Sequence, residues 1–295
     1  MMKKGLLGLI IAMVLLSVVG CSSSSTSGEG KKQDAKEGKK SVTITFGVTP
    51  WSSTVPPTKI ASLILKDMGY TVKEMNADAG SVYTGLSRGD IDVFMDSWIP
   101  AHTPYLEKYK DSIEDTAISY KDAATGWVVP KYMTDINSIA DLKGKESEVK
   151  NEMYSIEVGT SASKTIDEMI KAYGLDIKQV NSSEAAMLAE AMRKMAKKEP
   201  VIFFGWRPHT MFNKFDLKVL KDDKNFLSVS DIHVITNKKL KETAPDAYKF
   251  LSNWSIPIDD VEEMIAKIEN KEDAEKVAQE WIKNNPDKVK EMTGK

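Results

Sequence analysis

Apolar and polar positions alternate along the chain in two recurring spacings. "VTITFGVT" (42–49) places β-branched residues in alternation and predicts a strand. Positions 58–68 carry apolar residues at helical spacing, and Gly69 ends the run. "YTVKEMNA" (70–77) predicts a second strand, "SVYTGLSRG" (81–89) a short helix and "DIDVFMDSW" (90–98) a third strand, apolar enough to be buried. "DTAISYK" (115–121) and "TGWVVPKY" (125–132) are further strand-like pieces, and "INSIADLKG" (136–144) ends in a glycine. The alternation then resumes. "SIEVGTSASKTIDEMIKAYG" (155–174) reads as strand, turn and helix, and "KQVNSS" (178–183) as a strand. Positions 184–197 form a helix with an Ala/Met/Leu face, "EPVIFFGW" (199–206) a strand and "PHTMFNKF" (208–215) the start of a helix. "IHVITNKK" (232–239) is a late strand, and from Pro245 the chain is mostly helical with charged faces. Strands and helices in this order argue for mostly parallel sheets with helical cover. The expected fold class is α/β, as two similar units in tandem and a helical tail.

The N-terminus follows a different pattern. Lys3 and Lys4 precede an almost unbroken apolar run from 6 to 19. That run is shorter than the roughly 20 residues that span a bilayer and reads as the core of a signal peptide, expected over 1–20. It ends "SVVGC", and Cys21 is the only cysteine. Small residues before a lone cysteine match the bacterial lipobox, so Cys21 is expected to be lipidated; an ordinary secretory signal with an incidental cysteine is the alternative. A single cysteine excludes an intrachain disulfide framework. The stretch 21–41, "CSSSSTSGEGKKQDAKEGKKS", has no large apolar residue to offset chain entropy and is expected to be a disordered tether.

Composition narrows the function by exclusion. The chain has 295 residues, 41% of them hydrophobic, enough for one large or two modest domains. A formal charge of −2 gives no electrostatic reason to expect nucleic acid. Its three histidines, His102, His209 and His233, have no close-spaced ligand pattern, and neither a G-x-S-x-G elbow nor a P-loop occurs. No catalytic residue, metal site or cofactor is expected.

The tryptophans carry more information. "FMDSWIPAH" and "FFGWRPH" each place Trp-x-Pro and then a histidine after an apolar strand. Trp51, in "FGVTPW", is likewise expected to end an apolar strand. Ligands of open parallel sheets bind beyond the carboxyl ends of the strands. Trp51, Trp98 and Trp206 are therefore either lids on a core or walls of a cleft. Trp127, Trp254 and Trp281 are expected to be packing residues. Indole faces attract cations, and a quaternary ammonium suits such a cage because it offers no hydrogen-bond donor. "VGTSAS" (158–163) is small and polar between a strand and a helix. Such a turn suits an anion, or is a plain connection with a Ser cap. A zwitterion with a quaternary ammonium and a carboxylate would use both features.

"GVTPWSSTVPPTKIASLILKDMGY", "NADAGSVYTGLSRGDIDVFMDSWIP" and "FFGWRPHTMF" closely resemble the glycine-betaine-binding lipoproteins of bacterial ABC importers. The resemblance covers the chain from about Val42 to the C-terminal helices. It implies a two-lobed type II periplasmic-binding-protein fold with a hinge and an interlobe ligand cleft. The first lobe would comprise 42–129 and 231–295, the second 130–230. It also implies that Trp51, Trp98 and Trp206 cage a trimethylammonium group, and that His102 and the N–H groups of Ser161 and Ala162 bind a carboxylate. His209 inherits no ligand role and is expected to support the Trp206 loop. The implied protein is an extracytoplasmic, lipid-anchored receptor that passes glycine betaine to an ABC permease, and it is not an enzyme. A receptor for carnitine, proline betaine or choline is the nearest alternative. An extracellular hydrolase on the same scaffold, acting on a choline ester, is the alternative from another class.

Overall fold

The computed structural model describes residues 42–227 and 229–294. The expected signal peptide, Cys21 and the tether up to residue 41 lie outside the described residues.

The first part of the chain supplies β1 (Thr43–Val48), α1 (Val55–Asp67), β2 (Thr71–Asn76), α2 (Ala79–Arg88), β3 (Val93–Ile99), α3 (Thr103–Tyr109) and β4 (Ile113–Ala123). The middle supplies β5 (Thr125–Pro130), β6 (Glu152–Ser155), α4 (Ser161–Tyr173), β7 (Lys178–Asn181), α5 (Glu184–Ala196), β8 (Phe203–Trp206), α6 (Met211–Lys214) and β9 (Leu217–Val219). Then come β10 (Ser230–Asn237), α7 (Leu240–Thr243), α8 (Pro245–Ser252), α9 (Ile258–Glu269), α10 (Ala274–Asn284) and α11 (Pro286–Thr293).

These strands form two five-stranded sheets, ordered β2-β1-β3-β10-β4 and β7-β6-β8-β5-β9. In the first, β1 is parallel to β2 and β3, while β10 is antiparallel to β3 and β4. In the second, β6 is parallel to β7 and β8, while β5 is antiparallel to β8 and β9. The two sheets therefore match position for position, each with a single strand against the common direction. β3 and β8, which carry Trp98 and Trp206, hold the same place in both.

The chain passes from the first sheet to the second between Ala123 and Thr125. The expected crossing at 129/130 is too late, because β5 is already a strand of the second sheet, with Trp127 opposite Phe204 and Val128 opposite Val219. The return lies between Val219 and Ser230.

Local chemistry accounts for several shifts from the predicted elements. α1 begins at Val55, ahead of 58, because Pro56 and Pro57 fall in its first turn, where a missing N–H leaves no helical bond unmade. The strand expected at "SIEV" ends at Ser155 and takes Glu152 to Tyr154 instead, where Met153 and Tyr154 are buried against β7 and β8. The chain then leaves the sheet, and Val158 is 80% exposed. "PHTMFNKF" yields a single helical turn, α6, after a loop through Pro208.

Cores form on the faces of both sheets. Ile44 and Phe46 of β1 meet Ile60, Ile64 and Leu65 of α1, all essentially inaccessible to solvent. The helical tail packs on the first sheet: the Trp254 indole N–H donates to Ser119 Oγ of β4 at 2.8 Å, and the Ile256 N–H to the Ser119 carbonyl at 2.9 Å. Trp281 donates to Asp260 Oδ2 at 2.9 Å, and Trp127 is wholly buried in β5. Among the described residues no helix is long and apolar enough to cross a membrane.

Candidate functional site

The site begins at the two matching strands. β3 is buried along nearly its whole length and delivers Trp98 at its end; β8 delivers Trp206. Each tryptophan is followed by a residue and a cis proline, Ile99–Pro100 and Arg207–Pro208. Trp51 does not end a strand. It stands beyond β1 in extended conformation (φ −95°, ψ 144°), immediately before a 3-10 turn at Ser52–Thr54.

A buried carboxylate fixes that turn. Asp96 precedes Trp98 by two residues, so both side chains leave the same face of β3. Its Oδ2 accepts from Ser53 Oγ and Thr54 Oγ1, both at 2.8 Å, and its Oδ1 accepts from the Tyr120 hydroxyl at 3.4 Å. Burial pushes its pKa up to about 6, while the Thr54 and Ser53 hydroxyls oppose the rise. The turn after Trp51 is thereby tied to the strand of Trp98.

His102 lies in the loop before α3, with 4% of its surface exposed. The Trp98 N–H donates to its Nδ1 at 3.2 Å. Burial lowers its pKa to about 4, so the ring is neutral near neutral pH and its proton sits on Nε2. The Tyr83 hydroxyl lies 3.3 Å from Nδ1 and 2.5 Å from Ser97 Oγ. Burial also raises the Tyr83 pKa, which keeps that hydroxyl protonated. Nδ1 is thus occupied as an acceptor, and Nε2 is the atom available to a ligand as a donor.

The second sheet contributes the start of α4. Thr160 caps the helix, its Oγ1 accepting from the Ser163 N–H at 3.1 Å. Ser161 and Ala162 are the first two helical residues, whose N–H groups have no carbonyl within the helix to bond. Gly159, just before the cap, has φ of +90°, a conformation that suits glycine.

Trp51, Trp98, His102, Ser161, Ala162 and Trp206 all line one cavity of about 180 Å³. The six residues singled out from the sequence are therefore brought together, with contributions from both sheets. The Trp51 and His102 ring centres lie 6.2 Å apart. His209 stays behind the wall: its ring meets Trp206 edge-on, with centres 5.1 Å apart.

Sequence reasoning missed part of the lining and most of the support. Phe226 and Leu227 reach the cavity from the return segment between the sheets, where no strand or helix spacing marks them. Asp222 Oδ2 holds both of their N–H groups, at 2.6 and 3.0 Å. Tyr83 belongs to the buried face of α2 and reads as core until its hydroxyl is seen beside His102. Asp96 is within reach of the sequence, as an acidic residue in an otherwise apolar strand.

Known proteins share this arrangement of sheets. The chain is 40% identical over 142 residues to a glycine betaine/carnitine transport binding protein of Listeria monocytogenes; the match spans 47% of this chain and 47% of that protein. Its fold superposes on the lactococcal OpuAC structure complexed with glycine betaine, with a TM-score of 0.80, 29% identity, and coverage of 85% of this chain and 99% of the other. It superposes on an ABC-transporter choline binding protein in complex with choline with a TM-score of 0.79, 26% identity, and coverage of 85% and 91%. These neighbours are two-lobed substrate-binding proteins, which accords with the α/β fold expected from the sequence. The model of the OpuAC family, the substrate binding domain of ABC-type glycine betaine transport systems, matches residues 42–284, and the chain belongs to that family.

Proposed function

We propose that the cavity captures glycine betaine outside the cytoplasmic membrane, and that the loaded protein docks on the permease of an ABC importer. The observation that carries this is the convergence, in one cavity, of three indoles with a neutral histidine donor and two free N–H groups at a helix start. Trp51, Trp98 and Trp206 face the trimethylammonium group, each contributing about 0.5–2 kcal/mol as a cation–π partner. His102 Nε2–H and the Ser161 and Ala162 N–H groups receive the carboxylate. The two lobes, one around each sheet, close on the ligand about the two crossings near 124 and 220–229. No bond is made or broken.

Choline is the second reading, favoured by the choline-bound neighbour. It lacks a carboxylate, so His102 and the start of α4 would gain nothing from it. Calorimetric titration of wild type and His102→Ala with both ligands separates the two. Glycine betaine binds wild type more tightly and loses roughly tenfold or more in the variant, the cost of a charge-assisted hydrogen bond, while choline is unaffected. Equal affinities, or an equal loss for both, would remove the carboxylate end from the account. Carnitine and proline betaine belong in the same titration.

The N-terminal expectation joins the proposal. Lipidated Cys21 anchors the chain to the membrane, and residues up to 41 give the lobes reach. Labelled fatty acid should be incorporated by the wild-type chain and not by Cys21→Ala.

A further inference from the structure

The cage has walls on both lobes, so something must hold those walls together when the cleft is shut. Trp51 and Trp206 have no main-chain element in common. Their neighbours meet at one side chain, Glu184.

Glu184 is the first residue of α5 and is buried, although it carries a carboxylate. Its Oε2 accepts the N–H of Ser52, the residue after Trp51, at 3.0 Å. Its Oε1 lies 3.2 Å from His209 Nε2. The Met211 N–H donates to His209 Nδ1 at 3.0 Å, so Nδ1 has no proton and Nε2–H is the donor to Glu184. The same His209 ring packs against Trp206 at 84°. One carboxylate therefore receives two N–H donors, one from the turn behind Trp51 and one from the histidine behind Trp206.

We propose that Glu184 is a positioning residue that latches the two lobes and so couples closure to assembly of the cage. The proposal rests on the cavity being the betaine site and adds one element that holds it shut, beside the Arg207–Glu262 pair and the Trp51 indole N–H donating to Glu157 Oε2 at 3.4 Å, which also join the two lobes. A carboxylate is the side chain this junction requires, because it offers an acceptor to each donor. An amide of the same shape offers one acceptor oxygen and an NH2 group. With glutamine at this position, one of the two N–H groups must face another donor.

Ser52 gives an independent handle on the same bond. Trp51 is already in the extended conformation that a following proline favours. Ser52 opens a 3-10 turn, where the fixed φ of proline fits. Ser52→Pro thus removes the donor without touching the acceptor.

The test is a double-mutant cycle of Glu184→Ala, Ser52→Pro and the pair. Two quantities are read: glycine betaine dissociation by stopped-flow tryptophan fluorescence, and the closed fraction from the distance between dyes on the two lobes, with and without ligand. Each single variant should speed dissociation roughly ten- to a hundredfold and lower the closed fraction. The pair should be no worse than Glu184→Ala alone, since both changes break one bond. Glu184→Gln should fall between wild type and Glu184→Ala. Additive effects, or single variants with wild-type dissociation and closed fraction, would overturn the latch. If wild type binds no betaine, the assignment of the cavity fails, and the ligand-free closed fraction still decides the latch. A role confined to helix α5 would lower the melting temperature and leave both readouts unchanged, which also counts against it.

Discussion

Replacing Asp96 by asparagine removes a charge from the centre of the site's scaffold, and its effect can be worked from the structure. Burial raises the Asp96 pKa from 3.8 to about 6 in the folded protein. The folded state therefore keeps a proton that the unfolded chain releases between those values. Stability conferred by that proton is fully present below the unfolded pKa and is lost as pH rises through the folded one. A shift of about two units corresponds to about 3 kcal/mol in all, of which about 2 kcal/mol falls between about pH 4.5 and 7.5. The amide of the Asp96→Asn variant does not titrate, so the variant lacks this loss. It gains an offset from poorer acceptance of the Ser53 and Thr54 hydroxyls, and that offset is the same at every pH. The assay is urea unfolding of both proteins at several pH values, without ligand. The stability of Asp96→Asn minus that of wild type should climb by about 2 kcal/mol over the window and flatten above about pH 7. A difference that is flat, or that falls with pH, would refute the buried, proton-binding carboxylate.

Because His102 titrates near pH 4 and is already neutral above that, it should leave glycine betaine affinity constant from about pH 5.5 to 8; calorimetry on Asp96→Asn, which removes the site's other group shifted into this range, showing a tenfold change centred near about pH 6.5 would contradict it. A Cβ on Gly205 would lie 2.5 Å from Val128 Cγ2 and 3.0 Å from Met211 Sδ, so Gly205→Ala should displace Trp206, destabilise the fold by about 1–3 kcal/mol in urea unfolding and weaken betaine binding. Gly159→Ala meets no neighbour but is strained at φ of +90°, so a loss of about 1 kcal/mol in the turn before α4 should appear as weaker carboxylate binding with choline binding unchanged. A choline ester incubated with the protein should remain intact; turnover would revive the hydrolase reading.

The sequence carries the site better than it carries the scaffold behind it. Trp98 and Trp206 are legible because each follows an apolar strand with the same Trp-x-Pro tail, and strand β3 repeats the place of β8 in its own sheet. Trp51 is legible as a residue but not as a turn, since its position depends on Ser53 and Thr54 reaching Asp96 across more than forty residues. Glu184 reads as an ordinary acidic start to a helix, and nothing local announces that Ser52 and His209 will meet it. The switch between sheets is hidden for a related reason. β4 and β5 follow one another across a single residue, Ala124, and pairing alone reveals that they belong to different sheets. Local spacing fixes which residues are buried and where strands end; partners distant in the chain are fixed by tertiary geometry.

The central claim is that indoles from both lobes close on one quaternary ammonium. Calorimetric titration of glycine betaine into wild type, Trp98→Ala and Trp206→Ala tests it most directly. Saturable one-to-one binding to wild type is expected, with a loss of about tenfold or more in each variant from the missing cation–π face and apolar contact. Two variants with wild-type affinity, each still folded, would contradict it.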